Sequence, residues 1–134
     1  MRLKAIELHG FKSFADPTRL EFPGPITAIV GPNGSGKSNI AEAIRWALGE
    51  QSLSTLRARR GEDLIFAGSD QRPRAGMAEV TLIFDNAEGW LPIDFVEVAL
   101  TRRVYRDGEG EYLLNGNRVR LRDVQELLGA TPLA

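Results

Sequence analysis

The chain has 134 residues, 43% hydrophobic and 26% charged, with 17 Lys+Arg against 18 Asp+Glu. That length suits one domain with a core of ordinary size, and the composition excludes a disordered tail or a collagen-like repeat. No apolar run approaches the roughly 18 residues of a membrane span, and the N-terminus alternates charged and apolar residues, unlike a secretory signal. A cytoplasmic protein without a membrane partner is expected. With no Cys and only His9 as histidine, disulfides, thiolate metal sites, a cysteine nucleophile and multi-histidine zinc sites are all excluded.

Leu3, Ile6 and Leu8 predict a first strand ending near Gly10, and Arg19-Leu20-Glu21-Phe22 a short edge strand. After the forced turn at Pro23-Gly24-Pro25, Ile26-Thr27-Ala28-Ile29-Val30 reads as a strand buried on both faces. A glycine-rich stretch follows, then a helix with Ile40, Ala43, Ile44, Ala47 and Leu48 at helical spacing, stopped by Gly49. The second half alternates like antiparallel strands with one wet face. Val80, Leu82 and Phe84 share a side, as do Val96, Val98, Leu100 and Val104. Turn signals stand at Asp107-Gly108-Glu109-Gly110 and Asn115-Gly116, and a helix begins at Leu121. Without a linker or repeat, both halves are expected to share one core.

The stretch Gly31-Pro32-Asn33-Gly34-Ser35-Gly36-Lys37-Ser38 fits G-x-x-x-x-G-K-[ST], between an apolar strand and a helix as the motif requires. Its glycines let successive N–H groups point into one concavity, and the helix dipole favours an anion there. Lys37 is placed to reach the β- and γ-phosphates of a nucleotide, and the Ser38 hydroxyl to ligate Mg²⁺. Hydrolysis also needs a second carboxylate and a group that positions water. The one local candidate, Asp85, ends an alternating strand and reads as a turn-initiating residue. The catalytic kit is incomplete within these residues.

Gly10-Phe11-Lys12-Ser13-Phe14, the phosphate loop continued by Asn39-Ile40, and Ala43-Ile44-Arg45-Trp46-Ala47-Leu48-Gly49-Glu50-Gln51-Ser52 resemble one family. Leu56-Arg57, Glu62-Asp63-Leu64-Ile65-Phe66-Ala67-Gly68-Ser69, Ala78-Glu79-Val80-Thr81-Leu82 and Thr101-Arg102-Arg103-Val104-Tyr105-Arg106 continue the likeness along the chain. It is the structural maintenance of chromosomes (SMC) ATPases, in their bacterial chromosome-condensation form. The resemblance implies an α/β P-loop NTPase fold, with residues 1–134 forming the N-terminal lobe of an ABC-type ATPase head. That lobe would hold a mixed sheet and an antiparallel β-subdomain. The C-terminal head segment, joined through a coiled coil, would bring the signature motif, the Walker B Asp and the catalytic Glu. Two heads of a homodimer would sandwich ATP and Mg²⁺, with a kleisin-type subunit and DNA as partners in chromosome condensation and segregation. The implied place is the nucleoid. The chain alone is then expected to bind nucleotide weakly and not to turn it over.

Through the same resemblance, Gly31, Pro32, Asn33, Gly34, Ser35, Gly36, Lys37, Ser38 and Asn39 are the expected nucleotide contacts. Arg57 matches a position that reaches the phosphates like an arginine finger, and Lys12 one beside the nucleotide; each also reads as a solvated loop residue. Phe11 and Phe14 are expected in the core rather than as adenine platforms, and His9 and Trp46 as packing residues.

The basic side chains are 14 Arg and 3 Lys. Arg suits phosphate through its bidentate fork, although a GC-rich or heat-adapted genome would produce the same bias. Arg118, Arg120 and Arg122 would form one row if their stretch were extended, with Arg59 and Arg60 nearby. Arg60, Arg120 and Arg122 match basic family positions that contact DNA; the bland alternative is a solubilising face. Two other readings remain at this stage: the head of a RecF- or RecN-like DNA-repair ATPase, and a self-sufficient small P-loop enzyme such as a nucleotide kinase.

Overall fold

A computed structural model describes residues 2–22 and 35–129, with side chains from Ser38 onward in the second span. The strand expected over 26–30 and the first part of the phosphate loop, 31–34, lie outside the described residues. The elements in chain order are β1 (Leu3–His9), β2 (Thr18–Glu21), α1 (Ser35–Ala47), a 3-10 turn (Gly61–Leu64), β3 (Met77–Asp85), β4 (Glu97–Tyr105), β5 (Gly110–Leu114), β6 (Asn117–Val119) and α2 (Leu121–Gly129). The strands form one sheet in the order β2-β1-β3-β4-β5-β6, and every pairing among the described residues is antiparallel.

Local sequence explains most of this. The apolar inward phase sets the register: Ile6 faces Leu82, Leu82 faces Leu100, and Leu100 faces Leu114, so one apolar row crosses four strands. Asn115 and Gly116 take φ of +48° and +83°, the two left-handed residues of a tight hairpin turn between β5 and β6. Asp123 accepts the backbone N–H of Arg120 at 2.9 Å and so caps the start of α2. Val124 and Leu128 then turn inward.

A single hydrophobic cluster runs from Leu3 through Trp46, Leu82 and Leu100 to Leu128, joining both halves of the chain as expected. Helix α1 lies on the β3–β4 face of the sheet. Burial of each large apolar side chain contributes about 1.5–3 kcal/mol, so this cluster is the main stabilising term.

Four expectations need correction. On α1 the buried residues are Asn39, Glu42, Ala43, Trp46 and Ala47, whereas Ile40, Ile44 and Leu48 are half-buried. The whole stripe is shifted by one residue, about 100° of helix rotation, because Asn39 and Glu42, hydrogen-bonded to Ser13, Lys12 and Arg57, share the inner face. The second half is not uniformly wet on its outer face: Thr81 and Ile83 of central β3 are 9% and 7% exposed, with Thr81 hydrogen-bonded to Thr101 at 2.8 Å. Beside them a charged row, Glu79–Arg103–Glu111–Arg118, crosses β3 to β6 and does keep that face polar. Val96 does not join Val98 and Leu100, because β4 starts only at Glu97 and Val96 is exposed. His9 is likewise exposed rather than packed, whereas Trp46 and Phe11 are buried as expected.

Candidate functional site

The chain leaves β1 at Gly10, whose φ is +71° and where a Cβ would stand 2.2 Å from the Met77 carbonyl oxygen. Only glycine tolerates both the conformation and the approach. The tight turn Phe11-Lys12-Ser13-Phe14 follows, closed by Phe14 N–H donating to the Phe11 oxygen at 2.8 Å. Lys12 N–H donates to the Leu64 oxygen at 2.8 Å, and Phe66 N–H to the Gly10 oxygen at 2.7 Å, so the turn is strapped to the 3-10 segment. Lys12 itself has φ of +49°, an uncommon conformation for a residue with a Cβ.

A second strained loop approaches the same place. Residues 53–57 turn around buried Leu56, with Arg57 N–H donating to the Ser54 oxygen at 3.0 Å and Ala58 N–H to the Leu53 oxygen at 2.9 Å. Arg57 has φ of +54°. Such outliers cost about 1–3 kcal/mol each and persist where surrounding contacts enforce them.

These loops deliver two cations to α1. Lys12 Nζ donates to Glu42 Oε1 and to the Leu56 carbonyl oxygen, both at 2.6 Å. Arg57 donates through Nε to Glu42 Oε2 at 2.5 Å, and through Nη2 to Glu42 Oε1 and Asn39 Oδ1, both at 3.1 Å. Asn39 Nδ2 donates in turn to the Ser13 hydroxyl at 2.8 Å. Asn39 and Glu42 are one helical turn apart on the same face, so a single helix presents both acceptors. Burial pushes the Glu42 carboxyl upward, but the hydrogen bonds from Arg57 and Lys12 outweigh it and hold its pKa below the usual range. The Glu42 hydrogen bond raises the Arg57 pKa correspondingly.

Of the residues expected around a nucleotide, Lys12, Asn39 and Arg57 are therefore brought together. Ser38 sits exposed in the first turn of α1; Ser35, Gly36 and Lys37 are helical in backbone, their side chains outside the described set, and Gly31, Pro32, Asn33 and Gly34 lie outside it altogether. Two cations beside the helix that Gly36-Lys37-Ser38 begins suit a triphosphate, and an exposed hydroxyl at Ser38 suits Mg²⁺. The donor set fits both groups. Glu42, the carboxylate that organises the cations, was missed by sequence reasoning. Its signal was an acidic residue one turn beyond Asn39, adjoining the apolar Ala43.

Asp85 behaves as a turn residue: its Oδ1 accepts the Ala87 N–H at 2.9 Å, and Arg2 approaches its other oxygen at 3.8 Å. The Arg102, Arg103 and Arg106 cluster is committed to the fold. Arg102 donates to the Trp46 and Glu50 oxygens, Arg103 pairs with Glu79 and Glu111, and Arg106 donates to the Ala75 and Phe66 oxygens at 2.9 Å.

The row imagined from Arg118, Arg120 and Arg122 is not one extended stretch, because Arg118 lies in β6 and Arg122 in α2 with Arg120 between them. Arg60 and Arg120 are exposed and pair with Glu62 at 3.0 Å and Asp123 at 3.4 Å. Their sequence neighbours Gly61 and Leu121 line one groove of about 480 Å³, together with Trp46, Arg102 and Tyr112.

Comparison with known proteins agrees along the whole chain. Residues 2–134 match the family model described as the RecF/RecN/SMC N-terminal domain. The chain is 60% identical over 129 residues to the chromosome partition protein Smc of Rhodopirellula baltica, which covers 96% of this chain and 11% of that protein. The chain thus spans about a tenth of the length of such relatives. Its backbone superposes with a TM-score of 0.90 and 46% identity on a structure from work on ATP-driven dimerization and DNA-stimulated activation of SMC ATPases, covering 97% of this chain and 79% of that one. A crystal structure of the SmcHead bound to the C-winged helix domain of ScpA gives 0.89 and 41%, covering 100% and 42%. The recombination mediator RecF, in a structure with ATP, gives 0.61 at 22% identity over 89% of this chain and 28% of that one, a likeness of fold alone. Matched from residue 2 onward by this one model, the chain belongs to the RecF/RecN/SMC N-terminal domain family, as the N-terminal part of an SMC-type ABC ATPase head.

Proposed function

We propose that the chain is the ATP-binding N-terminal half of an SMC-type DNA-organising ATPase that acts in chromosome condensation and segregation. The observation that carries this reading is the convergence of Lys12 and Arg57 on Glu42 and Asn39 of α1, the helix whose first turn is Ser35-Gly36-Lys37-Ser38. In it the loop Gly31–Ser38 cradles the phosphates, Lys37 and Arg57 supply charge to them, and Ser38 holds Mg²⁺. Lys12 keeps a third N–H beyond its two hydrogen bonds and sits beside the nucleotide. Mg-ATP, when bound, supplies the phosphoanhydride whose hydrolysis drives the machine.

The hydrolytic site is completed only by a C-terminal head segment and a second head of a homodimer. A kleisin-type subunit joins the assembly, by analogy with the SmcHead–ScpA complex. Arg60, Arg120 and Arg122 contact DNA phosphates without sequence preference. The protein works in the cytoplasm, on the nucleoid.

Calorimetry tests the reading. Mg-ATP added to the chain combined with a C-terminal head segment gives heat of binding, lost in Lys37→Ala, while the 134-residue chain alone releases no phosphate in steady state. Heat independent of Lys37, or Lys37-dependent turnover by the isolated chain, overturns it.

A further inference from the structure

Among the described residues Glu42 is the one buried charged side chain, and it lies on the phosphate-loop helix five residues beyond Lys37. A carboxylate so close to a polyanion site has the wrong sign for direct contact, so its use must lie in what it holds. It holds two cations unequally. The Lys12 side chain is 12% exposed and also bound to a backbone oxygen, whereas the Arg57 side chain is 58% exposed. Lys12–Glu42 is an inner pair; Arg57 is an outer arm laid over it.

We propose that Glu42 is a positioning residue for Arg57: a latch that holds the guanidinium against α1 in the absence of nucleotide and releases it to phosphate, while Lys12 remains to neutralise the carboxylate. This rests on the proposed function. The backbone of Arg57 is fixed by the turn over residues 53–58 and by buried Leu56, so release moves the side chain alone. Charge balance favours the handover. With two cations on one carboxylate, removal of Arg57 leaves a neutral Lys12–Glu42 pair, whereas removal of Lys12 would strip a nearly buried ammonium of its partner. Arg57 is therefore the cation that the site can spare. Its bond to Asn39 Oδ1 lies on the same face of α1, on the side nearer the phosphate loop, and marks the direction of transfer.

Arginine modification by phenylglyoxal, mapped peptide by peptide, tests the latch on the chain combined with a C-terminal head segment. The reagent attacks the unprotonated guanidine, so a carboxylate partner protects. Without nucleotide, Arg57 of the unaltered protein reacts slowly, and in Glu42→Gln it reacts severalfold faster, because the carboxylate whose hydrogen bond raises its pKa is gone. Mg-ATP returns Arg57 of Glu42→Gln to slow reaction, because phosphate replaces the lost carboxylate. A purely structural role for Glu42 would not produce that rescue. Arg102, held between the Trp46 and Tyr112 rings, stays unreactive while the fold is intact. If Arg102 also reacts in Glu42→Gln, then Glu42→Asp, one methylene short but still charged, replaces it, and a faster Arg57 beside a silent Arg102 supports the proposal. Equal Arg57 rates with and without the Glu42 side chain overturn the latch, and so does a Glu42→Gln protein that binds Mg-ATP with Arg57 still reactive. If the unaltered protein binds no Mg-ATP, the ATP-binding reading fails, and the nucleotide-free rates still decide whether Glu42 holds Arg57.

Discussion

The Arg102 guanidinium carbon lies 4.8 Å from the centre of the Trp46 ring and donates through Nη1 to the Trp46 carbonyl oxygen at 2.8 Å. The same Nη1 reaches the Glu50 oxygen at 2.9 Å, and the Tyr112 ring covers the other side at 4.9 Å. No carboxylate pairs with this cation among the described residues, and burial draws its pKa down. What compensates the charge is the carbonyl end of α1, where the helix dipole is negative, together with two aromatic faces. Arg102 thus ties the far end of the phosphate-loop helix to strand β4.

Removing this tie leaves two carbonyls without their donor and two rings without their filling. Arg102→Ala is expected to lose about 3 kcal/mol of stability, and Arg102→Lys about half of that, since an ammonium cannot lie flat between rings. Urea unfolding followed by tryptophan fluorescence gives both values. A lysine variant as stable as the parent would show that a point charge is sufficient.

Asn86 makes a different prediction. It is 3% exposed, and its Nδ2 lies within 3.3 Å of the Leu91, Ile93 and Phe95 oxygens while its Oδ1 accepts the Leu91 N–H at 2.8 Å. One side chain thereby shapes the whole connection between β3 and β4 and holds Phe95 and Val96 outward. Asn86→Ala should cost about 2–3 kcal/mol by stranding buried backbone groups. Asn86→Asp should cost more, because the oxygen that replaces Nδ2 cannot donate and would face three carbonyl oxygens. Paired thermal melts rank the two; an Asp variant equal to the Ala variant contradicts the donor argument.

How far such features could be read in advance depended on whether polarity tracked burial. Strands β1, β3 and β4 announced themselves because their inward residues are apolar at period two, and Asn115-Gly116 because its left-handed turn demands those residue types. Helix α1 was found but turned by a residue, since Asn39 and Glu42 are buried by partners that lie far along the chain, at Ser13, Lys12 and Arg57. Arg102 was legible in principle. It occupies the inward phase of Val98, Leu100 and Val104, and a charge in that phase signals a cation drawn against the core. The gathering of Lys12 and Arg57 was carried only by family resemblance, because two loops with left-handed residues have no local periodicity that reveals where they meet.

Acid titration follows from Glu42. Its folded pKa lies below the usual 4.5, so the stability it contributes is present above 4.5 and is lost as pH falls through the lower folded value. Asp63, held down by the Arg60 and Arg59 amides, and Glu111, held down by the Tyr105 hydroxyl, contribute slopes of the same sign. The comparison must therefore be with Glu42→Gln. At neutral pH the variant is expected to be less stable by about 2 kcal/mol, and the gap should close as the parent's carboxylate is protonated. Denaturant unfolding at stepped pH measures the gap. A constant gap down to pH values well under 4.5 would mean that the charge of Glu42 contributes nothing.

The proposed DNA face makes its prediction through salt. Arg60 and Arg120 are held at rest only by exposed pairs with Glu62 and Asp123, the kind of contact worth about 0–1 kcal/mol, so exchanging those carboxylates for phosphate costs little. Each phosphate neutralised contributes about −0.9 to the slope of log affinity against log salt. Replacing Arg60, Arg120 and Arg122 together by Gln should flatten that slope by about 3, while leaving the Asp123 cap on α2 in place. The charge-reversed triple Glu variant should also lose stimulation of ATP hydrolysis by DNA. Fluorescence anisotropy on a DNA duplex, with the chain combined with a C-terminal head segment and titrated at several salt concentrations, gives the slopes. An unchanged slope in the Gln variant would place the phosphate contacts elsewhere, because loss of three phosphate partners cannot leave the number of released counterions the same.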